Sequence, residues 1–197
     1  LNPNSRREAR DLATREVARF IDFLNQRIPG LSSARMAGTA PELYIRTSRQ
    51  IRTHSVLTVD DVLENRDFAD RFGFGSYPLD VQAQAPGETG DVVGKPEQYA
   101  IPLRCLIPIG FANLFVVGRS AGFDSLAQSS ARTVPVGMAS GQAAGVAAVI
   151  RQRHGLPAAQ IPADPRLLSE TQRELERQGV QLEPNPARAP EITTHWA

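Results

Sequence analysis

Residues 113–150 read NLFVVGRSAGFDSLAQSSARTVPVGMASGQAAGVAAVI, and this stretch decides the fold. Its apolar run, Leu114 to Val117, ends at Gly118-Arg119, which is typical of a strand buried on both faces. After a polar loop, Pro135 stands where the first turn of a helix would tolerate a missing N–H. We therefore predict a strand, a glycine-bearing turn and a helix whose free N–H groups could meet a ligand.

Small residues recur every fourth position along the predicted helix, at Gly137, Gly141 and Gly145. Such a stripe is typical of tight helix packing and by itself indicates no ligand. Residues 133–150 also carry no charge and approach the roughly 18 to 20 residues that span a bilayer. They are poor in Leu, Ile and Phe, however, and hold Gln142 centrally. We therefore expect a buried helix, packed closely at its glycines, and no membrane partner.

Several short motifs surround this stretch in a fixed order. They read IRTSRQI at 45–51, LTVDDV at 57–62, YPLD at 77–80, YAIPLRCLIP at 99–108, NLFVVGR at 113–119 and GQAAG at 141–145. This order resembles the C-terminal half of the FAD-dependent oxidoreductase family, of the type with two dinucleotide-binding domains. The corresponding family motifs run approximately RExRRI, LTxxDV, YPxDxH, YxIPYRxLxP, NLLVAGR and GxAAG. The resemblance extends over about residues 40–180.

The resemblance implies an α/β chain. It would contain the last strand and C-terminal helix of a Rossmann-like FAD domain, together with part of a substrate or cap region. We expect a helix and cap-region segment at 1–112, the strand and helix at 113–155, and a C-terminal helix with a proline-rich tail at 156–197. These three segments would form one compact unit.

The sequence lacks a Gly-x-Gly-x-x-Gly motif after an N-terminal strand, the feature that seats a dinucleotide pyrophosphate. Gly73-Phe-Gly75 is the nearest approach, and it has neither the spacing nor the strand. The resemblance places that motif near the start of a chain roughly twice as long. We therefore interpret this chain as the C-terminal part of a flavoenzyme, whose partner is a missing N-terminal FAD-binding half or a separate subunit.

The function that follows is hydride transfer between FAD and an unidentified small organic substrate. One alternative is a non-catalytic split or degenerate subunit that binds a partner without its own flavin site. A glycine-zipper helix for membrane or assembly contacts is the other alternative.

For the cofactor, the resemblance places Gly118 and Arg119 near the ribityl chain and phosphates of FAD. Arg132 follows just before the helix. The backbone N–H groups of Val136 and Gly137 would face the pyrimidine edge of the isoalloxazine, where the helix dipole favours the negative charge of a reduced flavin.

For the substrate, the resemblance raises Arg46 and Arg49, whose guanidinium groups could bind a carboxylate or stabilise an oxyanion. Salt bridges to the Asp60/Asp61 region are the structural alternative. His54 either packs or titrates beside the flavin. Gln82 replaces the last histidine of the family motif YPxDxH, which puts any role of that histidine in doubt. No metal site is predicted.

The composition narrows the class of protein. The 197 residues are 41% hydrophobic, enough for one core, and the net charge of +1 gives no reason to expect nucleic acid. Lys95 is the only lysine among 22 basic residues, a bias typical of a GC-rich bacterial genome. The one cysteine, Cys105, excludes an intramolecular disulfide and is expected to be an inert apolar residue. No signal peptide is visible, so we expect a cytoplasmic protein.

Local signals predict the remaining elements. These are a helix over 5–27, strands within 43–57, a short helix capped by Thr58 and running to Asn65, a surface loop over 82–98, a helix that Asp164 caps, that has Pro165 at its first position and that Gly179 stops, and an extended tail over 183–197.

Overall fold

The computed structural model describes residues 3–47, 49–82, 90–94 and 96–185. Contacts within it divide the chain into two compact units, Leu1–Ser48 and Arg49–Ala197. The boundaries that we predict near residues 112 and 155 both fall inside the second unit.

Helix α1, Pro3–Arg27, makes up most of the first unit and confirms the helix predicted over 5–27. The chain leaves it through a turn in which Leu31 N–H donates to the Ile28 carbonyl at 3.1 Å. The helix surface is largely exposed, and the rings of Phe20 and Phe23 stack on it with centroids 6.4 Å apart.

The second unit combines helices with two small antiparallel sheets. Strand β1 (Arg71–Gly75) pairs with β4 (Tyr99–Pro102), and β2 (Leu79–Val81) pairs with β3 (Asp91–Val93). The expected mixture of helix and strand is confirmed. The helices are α2 (Val59–Leu63), α3 (Ser125–Ala131), α4 (Val134–His154), α5 (Gln160–Ala163) and α6 (Pro165–Arg177), and short 3-10 helices span Leu103–Leu106 and Gly118–Ser120.

Two carboxylates fix the starts of α2 and α3. Thr58 begins α2 with a capping box, in which its own N–H donates to Asp61 Oδ2 at 2.8 Å while its side chain accepts from the Asp61 N–H. Asp124 accepts two N–H groups of the first turn of α3, and its other oxygen accepts from Val59 N–H at 2.8 Å. One side chain therefore joins the beginnings of both helices.

The proline in the first turn of α4 and the cap of α6 agree with prediction. Thr133 precedes α4 in an extended conformation, and Pro135 lies in the first turn. Asp164 caps α6 by accepting the Arg166 N–H at 2.8 Å. Gly179, with φ of +89°, follows the C-terminus of α6.

The core of the second unit lies where α4 meets β1, α6 and the 3-10 helix at Leu103–Leu106. The Tyr99 hydroxyl is 2.6 Å from Ser130 Oγ, which also donates to the Tyr77 carbonyl. Burial raises the pKa of Tyr99 to about 12. The largest fully buried apolar side chains are those of Leu57, Phe72, Tyr99, Ile101, Leu103, Leu106, Ile107, Ile161 and Leu175.

The predicted strand at Leu114 to Val117 is wrong for the residues that the structure describes. The segment is held by one backbone bond to a 3-10 helix, from Val116 N–H to the Leu106 carbonyl at 2.8 Å. A strand needs a neighbour that exchanges bonds repeatedly, and the described chain supplies none at this position.

Residues 43–57 also form no regular strand over their described part. Isolated bridges join Thr53 to Pro108 and Leu57 to Phe123, and the Ile51 N–H donates to the Ser120 carbonyl at 3.0 Å. The predicted loop at 82–98 contains strand β3, whereas its residues 83–89 and 95 lie outside the described residues. The tail beyond residue 185 lies outside them as well.

The predicted tight packing at Gly141 and Gly145 is wrong. A Cβ built on either residue meets nothing within 4 Å, because α4 packs through Ala143, Val146 and Ile150 and turns its glycines outward.

Considered one at a time, the described helices are too short or too polar to cross a bilayer. Helices α3 and α4 together are long and apolar enough, but they are bent by 95° at the break between them.

Candidate functional site

The 3-10 helix at Gly118–Ser120, here called the GRS turn, reverses the chain after the extended segment 114–117. Gly118 has φ of +65°, a left-handed conformation that disfavours any residue with a side chain. The Ala121 N–H closes the turn on the Gly118 carbonyl at 3.2 Å. A Cβ built on Gly118 meets nothing within 4 Å, so the backbone faces open space.

Two buried polar side chains, one from each flanking helix, hold this turn. Ser140 Oγ in α4 accepts the Gly118 N–H at 3.1 Å. Gln128 Nε2 in α3 donates to the Arg119 carbonyl at 2.6 Å. The turn is therefore fixed both at its first N–H and at its middle carbonyl, although Arg119 itself is exposed.

The N-terminus of α4 keeps open donors. Gly137 N–H makes the first helical bond, to the Thr133 carbonyl at 3.0 Å. The N–H groups of Val134 and Val136 precede that bond and meet no acceptor in the described chain. The Thr133 side chain makes no capping bond to them. Of the two predicted donors, the Val136 N–H is therefore open, whereas the Gly137 N–H is used within the helix. Gly137 instead leaves space at the helix surface, because a Cβ built on it meets nothing within 4 Å.

Arg132, the last predicted cofactor residue, lies at the C-terminal end of α3 and contacts β2. Its Nη2 donates to the Asp80 carbonyl at 2.9 Å and lies 3.3 Å from Asp80 Oδ2. Only 9% of its side chain is exposed. Arg132 and Asp80, which are 52 residues apart in the sequence, therefore form one ion pair.

The motif at 99–108 lies beside the extended segment, since the Val116 N–H donates to the Leu106 carbonyl. Arg104 forms a two-pronged ion pair with Asp70, from Nε to Oδ2 and from Nη2 to Oδ1, both at 2.9 Å. The Asp70 carboxylate is almost fully buried and also accepts the Arg104 N–H. Cys105 is fully buried, and burial raises the pKa of its thiol to about 12, so it carries no reactive thiolate near neutrality.

The predicted substrate residues are exposed. Arg46 lies in the first unit with its guanidinium carbon 5.8 Å from the centre of the Tyr44 ring. Arg49 begins the second unit, and His54 follows in the same segment. Asp61 forms its salt bridge with Arg66 instead, with 2.6 Å between Arg66 Nη1 and Asp61 Oδ1.

Ser140 and Gln128 are the site residues that sequence reasoning missed. Ser140 is one polar residue among otherwise apolar buried positions of α4, which was a usable signal. Gln128 carried no comparable signal, because its contact with the turn depends on where α3 lies.

A groove of about 660 Å³ runs between α4 and α6, on another part of the second unit. Two ion pairs line it: Arg153 Nη1 is 2.8 Å from Glu170 Oε1, and Arg177 Nη2 is 2.6 Å from Glu174 Oε1. We assign no part of the cofactor site to it.

A family model described as FAD dependent oxidoreductase matches residues 1–175. No curated protein and no solved structure matches the chain.

Proposed function

Because the chain belongs to the FAD-dependent oxidoreductase family, we propose that it is the C-terminal portion of an enzyme that exchanges a hydride between a small organic substrate and FAD. One observation carries the assignment of the site. The GRS turn, with its left-handed Gly118 beside open space, is bonded directly to α4, the helix that opens with unpaired N–H groups.

The residues present fit the chemical groups of FAD. The N–H groups of Val134 and Val136 suit the acceptors of the pyrimidine ring, and the positive end of the α4 dipole suits a reduced flavin. Gly118 lets backbone approach the ribityl chain, and Arg119 lies next to it for the phosphates. When bound, FAD supplies the redox chemistry, and this chain orients it and surrounds it with fixed dipoles.

Arg132 fits the same site in a supporting role. Since its guanidinium is nearly buried and bonded to Asp80, it holds β2 against the end of α3, just before the open end of α4. We propose that it shapes the wall of the cofactor site.

We further propose that another polypeptide segment completes this site and turns residues 114–117 into the last strand of a Rossmann-like sheet. Residues 114–117 are extended and expose Leu114 and Val117, and among the described residues their backbone makes one bond, from the Val116 N–H to the Leu106 carbonyl. The outer face of α4 is apolar as well, with Val134 74% and Met138 71% exposed. The 197-residue sequence has no Gly-x-Gly-x-x-Gly motif, so the added segment would also hold the pyrophosphate of FAD. We call the two parts together the complete enzyme.

The visible absorption spectrum of the complete enzyme tests the proposed function. We expect flavin bands in the purified protein or after FAD is added. A spectrum without bound flavin under both conditions would contradict an enzymatic role and favour a partner-binding module.

Arg46 and Arg49 remain our candidates for the substrate side. If either grips an anionic group in two-pronged fashion, replacement by lysine keeps the charge but loses the fork. We expect Arg46→Lys or Arg49→Lys to lower kcat/KM about tenfold with little change in melting temperature.

Arg35→Lys and Arg52→Lys are the matched controls, because both arginines are exposed and lie near the candidates in the chain. Unchanged kcat/KM in both candidate variants would remove these arginines from the substrate site. Equal losses in the controls would show a general charge effect instead.

A further inference from the structure

We propose that Ser140 and Gln128 are positioning residues that hold the GRS turn in the shape that binds FAD. The inference rests on the proposed function, since it concerns the same cofactor site. It assigns to these two side chains an effect on flavin affinity in addition to their effect on folding.

The Ser140 hydroxyl has its bonding directions fixed. It donates its one hydrogen to the Gly137 carbonyl at 2.8 Å, in its own helix. Its oxygen is then left as an acceptor, and it receives the Gly118 N–H at 3.1 Å. Because Ser140 is fully buried, water cannot replace either bond. The hydroxyl therefore connects the first turn of α4 to the GRS turn through one atom.

Gln128 acts on a later peptide unit of the same turn, from the opposite helix. Its side chain is 1% exposed, and Nε2 donates to the Arg119 carbonyl at 2.6 Å. This bond fixes the peptide plane between Arg119 and Ser120, whereas Ser140 fixes the plane before Gly118. The turn is thus held at two places, from α4 at the Gly118 N–H and from α3 at the Arg119 carbonyl.

Packing alone does not require a serine at position 140. The other buried residues of α4 are Val136, Ala143, Val146, Ala147 and Ile150, all apolar, and an alanine at position 140 would be a better helix former than serine. A buried hydroxyl bonded to an exposed, left-handed turn is explained by the need to fix that turn. The orientation of Gly118 decides which backbone atoms face the open space, and hence the fit of the cofactor.

The first test measures the bond itself in the 197-residue chain. Amide hydrogen exchange at Gly118 is expected to be at least about tenfold faster in Ser140→Ala than in wild type, because the N–H loses its buried acceptor. The Val116 amide, bonded to the Leu106 carbonyl, is the internal reference. Ser129→Ala is the matched control, since Ser129 is also buried and donates to a carbonyl three residues back, that of Leu126. Equal exchange at Gly118 in all three proteins would overturn the proposal.

The second test measures flavin affinity in the complete enzyme. We expect the dissociation constant for FAD to rise about tenfold in Ser140→Ala and in Gln128→Met, the change that one lost buried hydrogen bond produces. Ser129→Ala should bind FAD as wild type does. Ser140→Thr keeps the hydroxyl and should restore affinity toward the wild-type value.

The outcomes separate the two ideas. Wild-type enzyme that binds no FAD would contradict the proposed function. Wild-type enzyme that binds FAD, with Ser140→Ala and Gln128→Met binding equally well, would overturn the positioning role alone. Equal losses of affinity in Ser129→Ala and Ser140→Ala at equal melting temperatures would overturn it too, because the effect would then belong to the fold.

Discussion

Gly118→Val in the complete enzyme is expected to abolish flavin retention while leaving a folded protein. Gly118 has φ of +65°, so valine strains the backbone by roughly 1–2 kcal/mol or more. A built Cβ at this position meets no protein atom within 4 Å, which means that the branched side chain would project into the open space assigned to FAD. The absorbance ratio of flavin to protein after gel filtration measures the loss directly.

Gly155→Val provides a matched control for that strain. Gly155 also has φ of +65° and open space around a built Cβ, but it ends α4 at the opposite terminus from the proposed site. We expect the two variants to lose similar melting temperature and only the Gly118 variant to lose flavin. Normal flavin content in folded Gly118→Val would remove this residue from the site.

Gly122→Ala is expected to destabilise the second unit by about 3 kcal/mol or more. A Cβ there would overlap Thr53 Oγ1 and lie 2.9 Å from the Ser55 carbonyl oxygen. The backbone cannot retreat, because Gly122 N–H donates to the Cys105 carbonyl at 2.8 Å and its own carbonyl accepts the Leu57 N–H at 2.9 Å. Urea unfolding of the 197-residue chain measures the loss.

Gly141→Ala is the matched comparison and should change stability in the opposite direction. Its site is helical and open, so alanine should raise the free energy of unfolding of the chain by about 0.5–1 kcal/mol. Equal effects of the two substitutions would contradict the packing described for Gly122. A loss of stability for Gly141→Ala confined to the complete enzyme would show that the added segment covers this face of α4.

Helix ends were the most predictable part of the fold. Thr58 and Asp164 accept N–H groups within three residues of themselves, and Pro135 suits the first turn of a helix because the N–H that it lacks would have no partner there. Because these interactions are local, they are visible in a window of a few residues.

Strands were less predictable, because a strand is defined by its neighbour. The run Leu114 to Val117 has the composition of a buried strand, yet the described chain offers Val116 one bond to a 3-10 helix. The spacing of Gly137, Gly141 and Gly145 likewise indicated a close neighbour without indicating which chain would provide it.

Part of the candidate site follows from residue type. A glycine between an apolar run and an arginine indicated the turn at Gly118, and its positive φ agrees with that choice. Gln128 bonds the Arg119 carbonyl, 9 residues away, and Arg132 bonds Asp80, 52 residues away. No local pattern in the sequence indicates either contact.

Titration calorimetry of FAD into the isolated 197-residue chain tests most directly the central claim, that this chain supplies one side of a flavin site that another segment completes. The chain offers the GRS turn and the open end of α4 but has no pyrophosphate motif in its sequence. We predict a dissociation constant in the high micromolar range or above. Tight binding of one FAD per chain would contradict the claim and show that the site is complete within these residues.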